Sequence, residues 1–247
     1  MMIQNSILHH PPSKKLSRYI DTYWQIVNES SQSIKEVVVP DGCMDIICKN
    51  SKLFIVGSMH KPKTVQIEAN DFYFGIRFKA SVLPQVFNKE ANTLIDQVVP
   101  LSEIDETLEQ NLKVLVLHIN HLEEINKFFE SYLLKCQLNE MLLKAIKTID
   151  DNQGIISLSE LEKSIGIGIR QMERLFKKHV GYSPKQYAKV IRFFHIYHQI
   201  VKSDSNLSIE AVDAGYYDQA HFNKEFKKYA GFIPKERKKS FFYNKKR

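Results

Sequence analysis

The chain has 247 residues, of which 43% are hydrophobic, 26% charged and 11% aromatic, a globular composition that argues against wholesale disorder. No stretch approaches the roughly 18–20 apolar residues of a membrane-spanning helix, and the start Met1-Met2-Ile3-Gln4-Asn5-Ser6 lacks the pattern of a secretory signal. The expectation is therefore a cytoplasmic, soluble protein. The net charge of +7 is unevenly divided: residues 1–135 carry 14 basic and 16 acidic side chains, and residues 136–247 carry 21 and 12. That split directs the second part, and not the first, at a polyanion.

In chain order, Leu16, Tyr19, Ile20, Tyr23 and Trp24 recur at helical spacing and predict a short amphipathic helix. Short β-rich runs follow at Glu36–Val39, Met44–Cys48, Leu53–Val56, Thr64–Ile67 and Phe72–Phe78. Pro40-Asp41-Gly42 is a turn signal, with Pro presetting φ and Gly accepting φ > 0. Around five short strands with tight connections predict a small antiparallel barrel or sandwich. From Ser102 to about Asp151 the pattern turns helical. Leu108, Leu112, Leu115 and Ile119 form one stripe, and Leu122, Ile125, Phe129 and Leu133 another. Those stripes suit either extra core for the β-rich part or a dimerisation surface, because periodicity does not identify the partner. Cys43, Cys48 and Cys136 are an odd count in a long chain and read as free thiols, not a disulfide framework.

The second part contains an internal repeat. Leu175-Phe176-Lys177-Lys178-His179-Val180-Gly181-Tyr182-Ser183-Pro184-Lys185 returns 50 residues later as Glu225-Phe226-Lys227-Lys228-Tyr229-Ala230-Gly231-Phe232-Ile233-Pro234-Lys235. Each copy is preceded by helix, Gly-centred turn and helix: Leu158–Ile165, Gly166-Ile167-Gly168 and Ile169–His179, then Ile209–Ala214, Gly215-Tyr216-Tyr217 and Asp218–Tyr229. Ser157 and Glu160 form a capping box, and Asp218 caps the last of these helices. Gly181 and Gly231 suit left-handed helix ends, and Pro184 and Pro234 suit the first turn of the next helix. Two helices meeting across a short Gly turn form a helix-turn-helix unit, whose second helix enters the DNA major groove. Between the units, Pro184–Lys202 forms a 19-residue helix. At about 1.5 Å per residue it spans roughly 28 Å, near the ~34 Å between successive major-groove faces.

These residues carry a family resemblance. Residues 139–240 resemble the DNA-binding domain of AraC/XylS-type transcriptional regulators. The stretch Gly215-Tyr216-Tyr217-Asp218-Gln219-Ala220-His221-Phe222 through Ile233-Pro234 is similar to the family signature, and Met172–Gly181 is similar to its first-reader pattern. Glu162 stands where the first unit usually has Ala, and Glu210 where the second usually has an apolar residue. Leu16, Tyr19-Ile20, Tyr23-Trp24, Val39-Pro40-Asp41-Gly42, Gly57 and Gly75-Ile76-Arg77-Phe78 resemble the small N-terminal domain of one subgroup. That subgroup usually continues with Pro-Gly where this chain has Lys79-Ala80-Ser81.

The expected fold class is α+β, in three parts. Residues 1–101 are a β-rich regulatory domain, 102–136 a helical linker or dimerisation segment, and 137–247 a double helix-turn-helix domain with a basic tail. Spacing turns Met172, Leu175, Phe176 and His179 inward on the first reader, and Phe222 and Phe226 on the second. By family position, base contacts fall on Arg170, Glu173 and Arg174, with Gln171 adjacent, and on Gln219, Asn223 and Lys224. Arg grips guanine bidentately, and Gln and Asn suit adenine. Lys177, Lys227, Lys228 and Lys235 are phosphate candidates. The resemblance implies a transcriptional activator with double-stranded DNA as partner. RNA polymerase, a small-molecule effector and a second copy of the chain are further candidates, with no membrane and no cofactor.

Rival classes lack their residues. A zinc-activated methyl-accepting Cys needs about four thiolates, whereas here only Cys43 and Cys48 are near each other. A metal-binding cupin needs a His-x-His cluster; His60 stands alone, and the pairs His118/His121 and His195/His198 lack a third ligand. No Ser/His/Asp frame, paired-acid site or phosphate loop marks an enzyme. An RNA-binding sheet would need an aromatic platform that the sequence does not show.

Overall fold

The computed structural model describes residues 6–116, 122–202, 215–216 and 218–236. The described residues include eight strands: β1 Ser6–His10, β2 Ile20–Val27, β3 Ile34–Val38, β4 Met44–Lys49, β5 Lys52–Val56, β6 Lys63–Ile67, β7 Phe72–Phe78 and β8 Val98–Pro100. Six make one antiparallel sheet in the order β1-β2-β7-β4-β5-β8, and β3 pairs with β6 as a separate ribbon. The five predicted runs are β3 to β7, each within two residues of the expected bounds.

Strand alternation divides the sheet into two faces. Tyr23 on β2, Ile46 and Cys48 on β4, Leu53 and Ile55 on β5, and Phe74, Ile76 and Phe78 on β7 all enter one buried cluster. Their neighbours Trp24, Ile26, Ile47 and Tyr73 turn to the other face and pack with Ile34 and Ile67 of the ribbon. The result is a small antiparallel sandwich with a helical layer on its outer side. That layer consists of α1 Val82–Val86, α2 Glu106–Val116 and α3 Leu122–Leu133. Leu108, Leu112 and Val116 of α2, with Ile125, Phe129 and Leu133 of α3, share the first cluster with the sheet. The apolar stripes predicted for this segment are thus turned onto the β-domain, with Leu115 partly buried. Ile119, the last member of the first stripe, lies outside the described residues.

One element differs from its prediction. Leu16 to Trp24 is not a helix. The Leu16 N–H donates to the Ser13 carbonyl, and the Tyr19 and Ile20 N–H groups both donate to the Leu16 carbonyl, giving turns that end at Ile20. From there Ile20–Val27, rich in β-branched and aromatic residues, runs as the second strand from one edge of the sheet. Helical spacing puts Tyr23 and Trp24 on one face; the strand sends them to opposite faces. β1 and β8, short edge strands, have no counterpart among the predicted elements.

The rest of the chain is helical and organised around a second core. It contains α4 Glu140–Asp151, α5 Leu158–Ile165, α6 Ile169–His179, α7 Pro184–Lys202 and α8 Gln219–Ala230. A 3-10 turn, Pro234–Glu236, follows α8. Phe193, Ile196 and Tyr197 of α7 meet Met172 and Phe176 of α6 and Phe222 and Phe226 of α8 in one cluster, joined by Val39 and Ala80 from the β-domain. The chain is therefore α+β, a β-sandwich with helices followed by an all-α part.

Phe129 sets a test of which core α3 belongs to. Its ring lies edge-on to Phe78 of the sheet at 5.7 Å, so Phe129→Ala is expected to lower the stability of the monomeric chain by about 3–5 kcal/mol in urea unfolding. A stripe serving only subunit contact would instead shift the oligomer equilibrium and leave monomer stability nearly unchanged.

Candidate nucleic-acid interface

The first unit is built by local chemistry that the sequence states openly. The Ser157 hydroxyl accepts from the Glu160 N–H, and the Glu160 carboxylate accepts from the Ser157 N–H at 2.9 Å, closing the capping box that starts α5. Gly166 ends α5 in the left-handed conformation, and α6 begins three residues later. Its N-cap, Gly168, offers no side chain. Instead Glu162 of α5 accepts from the Ile169 N–H at 3.0 Å. Glu162, the acid found where the resembling family usually has Ala, thus ties the two helices across the turn. It also places negative charge at the positive end of α6.

On α6, Met172 and Phe176 are buried, and Leu175 and His179 are half-buried. Arg170, Gln171, Glu173, Arg174, Lys177 and Lys178 are all exposed, forming the basic outer face expected. Burial, with Lys178 beside it, pushes the His179 imidazole below its ordinary value. The helix closes with the Gly181 N–H donating to the Phe176 carbonyl, Gly181 itself at φ 84°. A second capping box then starts α7: the Gln186 side chain accepts from the Ser183 N–H, and the Ser183 hydroxyl from the Gln186 N–H.

On α8, Asp218 accepts from the His221 N–H at 2.7 Å, as its N-cap position requires. Phe222 and Phe226 are fully buried; Gln219, Lys224, Lys227 and Lys228 are exposed, and Asn223 is half-buried. Lys235, past the end of the helix, is exposed too. Apart from Lys235, the predicted site residues therefore lie on two helices that share one core, all exposed except the half-buried Asn223. The first helix of the second unit (209–214), Glu210, Tyr217 and the tail from 237 lie outside the described residues.

A cluster on the inner side of α8 escaped sequence reasoning. Glu225, 6% exposed, accepts from Arg192 Nη2 at 2.7 Å and pairs with Lys189 Nζ at 3.0 Å, both from α7. The Arg192 guanidinium also lies over the Tyr216 ring, 4.2 Å from its centroid. Burial alone would raise the Glu225 carboxyl; the hydrogen bonds and charges of Arg192 and Lys189 outweigh it and hold the group below the ordinary carboxylate value. The available signal was an acid at i+3 from Phe222 and next to Phe226, on the core side of a basic helix. Arg192 is thereby engaged largely inside the protein, and Lys189 at its edge.

The β-domain touches this region at several points. The Tyr182 hydroxyl donates to the Met59 carbonyl at 2.5 Å, and the His60 ring meets Tyr182 edge-on at 5.0 Å. Gly181 packs so closely on Ile95 that a Cβ there would stand 2.0 Å from its Cδ1.

With this geometry in view, residues 161–240 match the family model described as "Helix-turn-helix domain". The C-terminal part is a helix-turn-helix domain of the AraC type. Ahead of this AraC-type domain, residues 8–100 match a second model, "Domain of unknown function (DUF6597)". Among curated relatives, the chain is 26% identical over 153 residues to the lactose operon transcription activator of Staphylococcus xylosus, covering 59% of this chain and 55% of that protein. It is 24% identical over 154 residues to the HTH-type transcriptional activator RhaS of Mannheimia succiniciproducens, covering 62% and 57%. The chain thus spans little more than half the length of these relatives. Among solved structures, ToxT of Vibrio cholerae superimposes with a TM-score of 0.45 at 12% identity, over 98% of this chain and 99% of that one.

Two variants test how the AraC-type domain is held. Glu162→Ala is expected to cost about 1 kcal/mol, the scale of a lost helix cap, in thermal or urea unfolding. Glu225→Ala leaves the largely enclosed Arg192 guanidinium and the half-exposed Lys189 without their carboxylate and is expected to cost about 3 kcal/mol. Because the Glu225 value is depressed on folding, its contribution is complete above pH about 4.5 and is lost as pH falls through the depressed value. Acid titration of stability should therefore lose this component in the wild type and lack it in Glu225→Ala.

Proposed function

We propose that the chain is a sequence-specific DNA-binding regulator of transcription, in which α6 and α8 enter successive major grooves on one face of the duplex. The observation that carries this reading is the pair of exposed basic helix faces, repeated 50 residues apart and fixed to the single helix α7. In it, Arg170, Gln171, Glu173 and Arg174 read base edges from α6, and Gln219, Asn223 and Lys224 read them from α8. Lys177, Lys227, Lys228 and Lys235 hold phosphates and set the register. The activity is binding and not catalysis, and the site of action is the cytoplasm.

The two relatives named above are both called activators, which supports a positive sign of regulation and RNA polymerase as a further partner. The β-domain, with residues 102–136 packed against it, takes the regulatory role, by sensing an effector or by pairing two copies.

Selection of duplexes by the intact protein, followed by binding across a salt series, tests this. Arg174→Ala and Asn223→Ala are each expected to lose about 1–3 kcal/mol on the selected site and to relax the preference at one position. Lys177→Ala is expected to weaken all duplexes alike and to lower the salt slope by about 1. Equal affinity of the intact protein for every duplex contradicts the proposal.

A further inference from the structure

Four of the residues that resemble the subgroup's N-terminal domain meet in one place. Trp24, Asp41, Gly57 and Arg77 all line a cavity of about 340 Å³ between the sheet and the β3–β6 ribbon. Its walls are largely apolar: Ile47, Phe54 and Tyr73 from the sheet, Val65 and Ile67 from the ribbon. Gly75 explains how the cavity gets its floor. It faces Trp24 directly in the register, and a Cβ there would stand 1.9 Å from the indole Cε2, so only a bare backbone lets the ring lie over β7.

At the polar end, Trp24 Nε1 donates to Asp45 Oδ1 at 2.8 Å. Arg77 lies opposite Asp45 across β4 and β7, with its Nε 3.3 Å from Asp45 and its Nη1 3.1 Å from Asp41. Two nearly buried carboxylates thus share one guanidinium. Burial drives the Asp45 carboxyl upward, with Arg77 opposing and Asp41 reinforcing the rise. The two other cations on the wall are held elsewhere: Lys49 lies over Tyr73 and 3.9 Å from Asp71, and Lys63 donates to the Asp96 carbonyl at 2.6 Å. The polar cluster itself thus sets two carboxylates against one guanidinium, beside the indole N–H, and a further cation placed there gains a charged hydrogen-bond partner.

We infer that this cavity binds a small apolar amine, its ammonium on Asp45 beside Trp24 and its hydrocarbon body against the sheet and ribbon. The volume lies at the small end of ligand pockets, within the general range of roughly 300–1,000 Å³. The site also has a route to the DNA-binding part. Asp41, on Arg77, belongs to the turn whose Gly42 lies flat on Tyr187 of α7, where a Cβ would stand 2.7 Å from the ring Cε2. The Tyr187 hydroxyl in turn donates to Asp150 of α4 at 3.0 Å. An ammonium drawn to Asp45 changes the charge balance on Arg77, and hence the hold on Asp41 and on the turn seated against α7. This second step rests on the DNA-binding reading given above; amine binding itself does not.

Trp24 is the sole tryptophan, so its emission reports the cavity directly. The full chain, without DNA, is titrated with hexylamine, 2-phenylethylamine and tyramine, and with 3-phenylpropionate and 2-phenylethanol as matched acid and alcohol. The expected result is a saturable emission change with amines, weakened roughly 10- to 100-fold in Asp45→Asn and abolished in Val65→Phe, which fills the space. Val65→Phe decides the matter alone if Asp45→Asn fails to fold. No saturable change across the amines, equal binding of the acid, or unaltered binding in Val65→Phe overturns the site. Anisotropy of a labelled selected duplex, with and without saturating amine, reads the coupling. A changed DNA affinity supports the route through Gly42 and Tyr187, and an unchanged affinity overturns that route while leaving both the amine site and DNA binding standing.

Discussion

Helix α7 is the constraint on which the rest depends. Helices α4, α6 and α8 and one turn of the β-domain rest on it, and nearly every apolar residue described along it is buried or half-buried. Phe193 alone has ring centroids at 5.5 Å to Tyr197, 5.5 Å to Phe226 and 5.2 Å to Tyr229, while Tyr197 stacks on Phe226 at 6.0 Å. Each fully buried aromatic of this kind stabilises by about 1.5–3 kcal/mol from burial, with further gain from edge-to-face geometry. Dispersion and burial therefore fix where α8 lies. The ionic cluster of Glu225 with Arg192 and Lys189 adds less net stability, since its desolvation cost offsets its attraction. Its physical contribution is orientation: a buried carboxylate with two cationic partners on α7 tolerates little rotation of α8 about its own axis.

The same helix explains why a sandwich of ordinary β-chemistry matters to the DNA-binding part. Val39 and Ala80 enter the helical core, Gly42 lies on Tyr187, and Tyr182 reaches back to the Met59 carbonyl. In the proposed regulator, these contacts are the route by which a change in the β-domain would reach α7 or the end of α6, since close-packed contacts shift between arrangements more readily than they deform.

Among the described residues, the helices from Leu158 to Lys202 and from Gln219 to Ala230 were legible almost to the residue. Their signals are local: a capping box, glycines with positive φ, prolines at first turns and a repeat that aligns one unit with the other. Strands β3 to β7 were equally legible from alternation and turn residues. What failed was Leu16 to Trp24, where a turn followed by a strand imitates helical spacing over nine residues. The true partners of Trp24 and Tyr23 depend on strand pairing, which a single sequence does not state. The polar end of the cavity stayed hidden for the same reason. Asp45 and Arg77 are 32 positions apart and meet only through the β4–β7 register. Glu225 was missed because a charged residue on a basic helix reads as solvated until its partners on α7 are known. The exposure of the residues proposed to read DNA was legible because the outer face of a helix follows from spacing, with Asn223 half-buried as the exception.

Hydroxyl-radical footprinting of the intact chain on a selected duplex tests the central claim most directly, because it maps the two readers along the DNA without altering them. Two readers held by one rigid helix predict two protected stretches on the same face of the duplex, about 10 base pairs apart, both present at every protein concentration that gives any protection. A single protected stretch, or two that appear independently and at variable spacing, contradicts it.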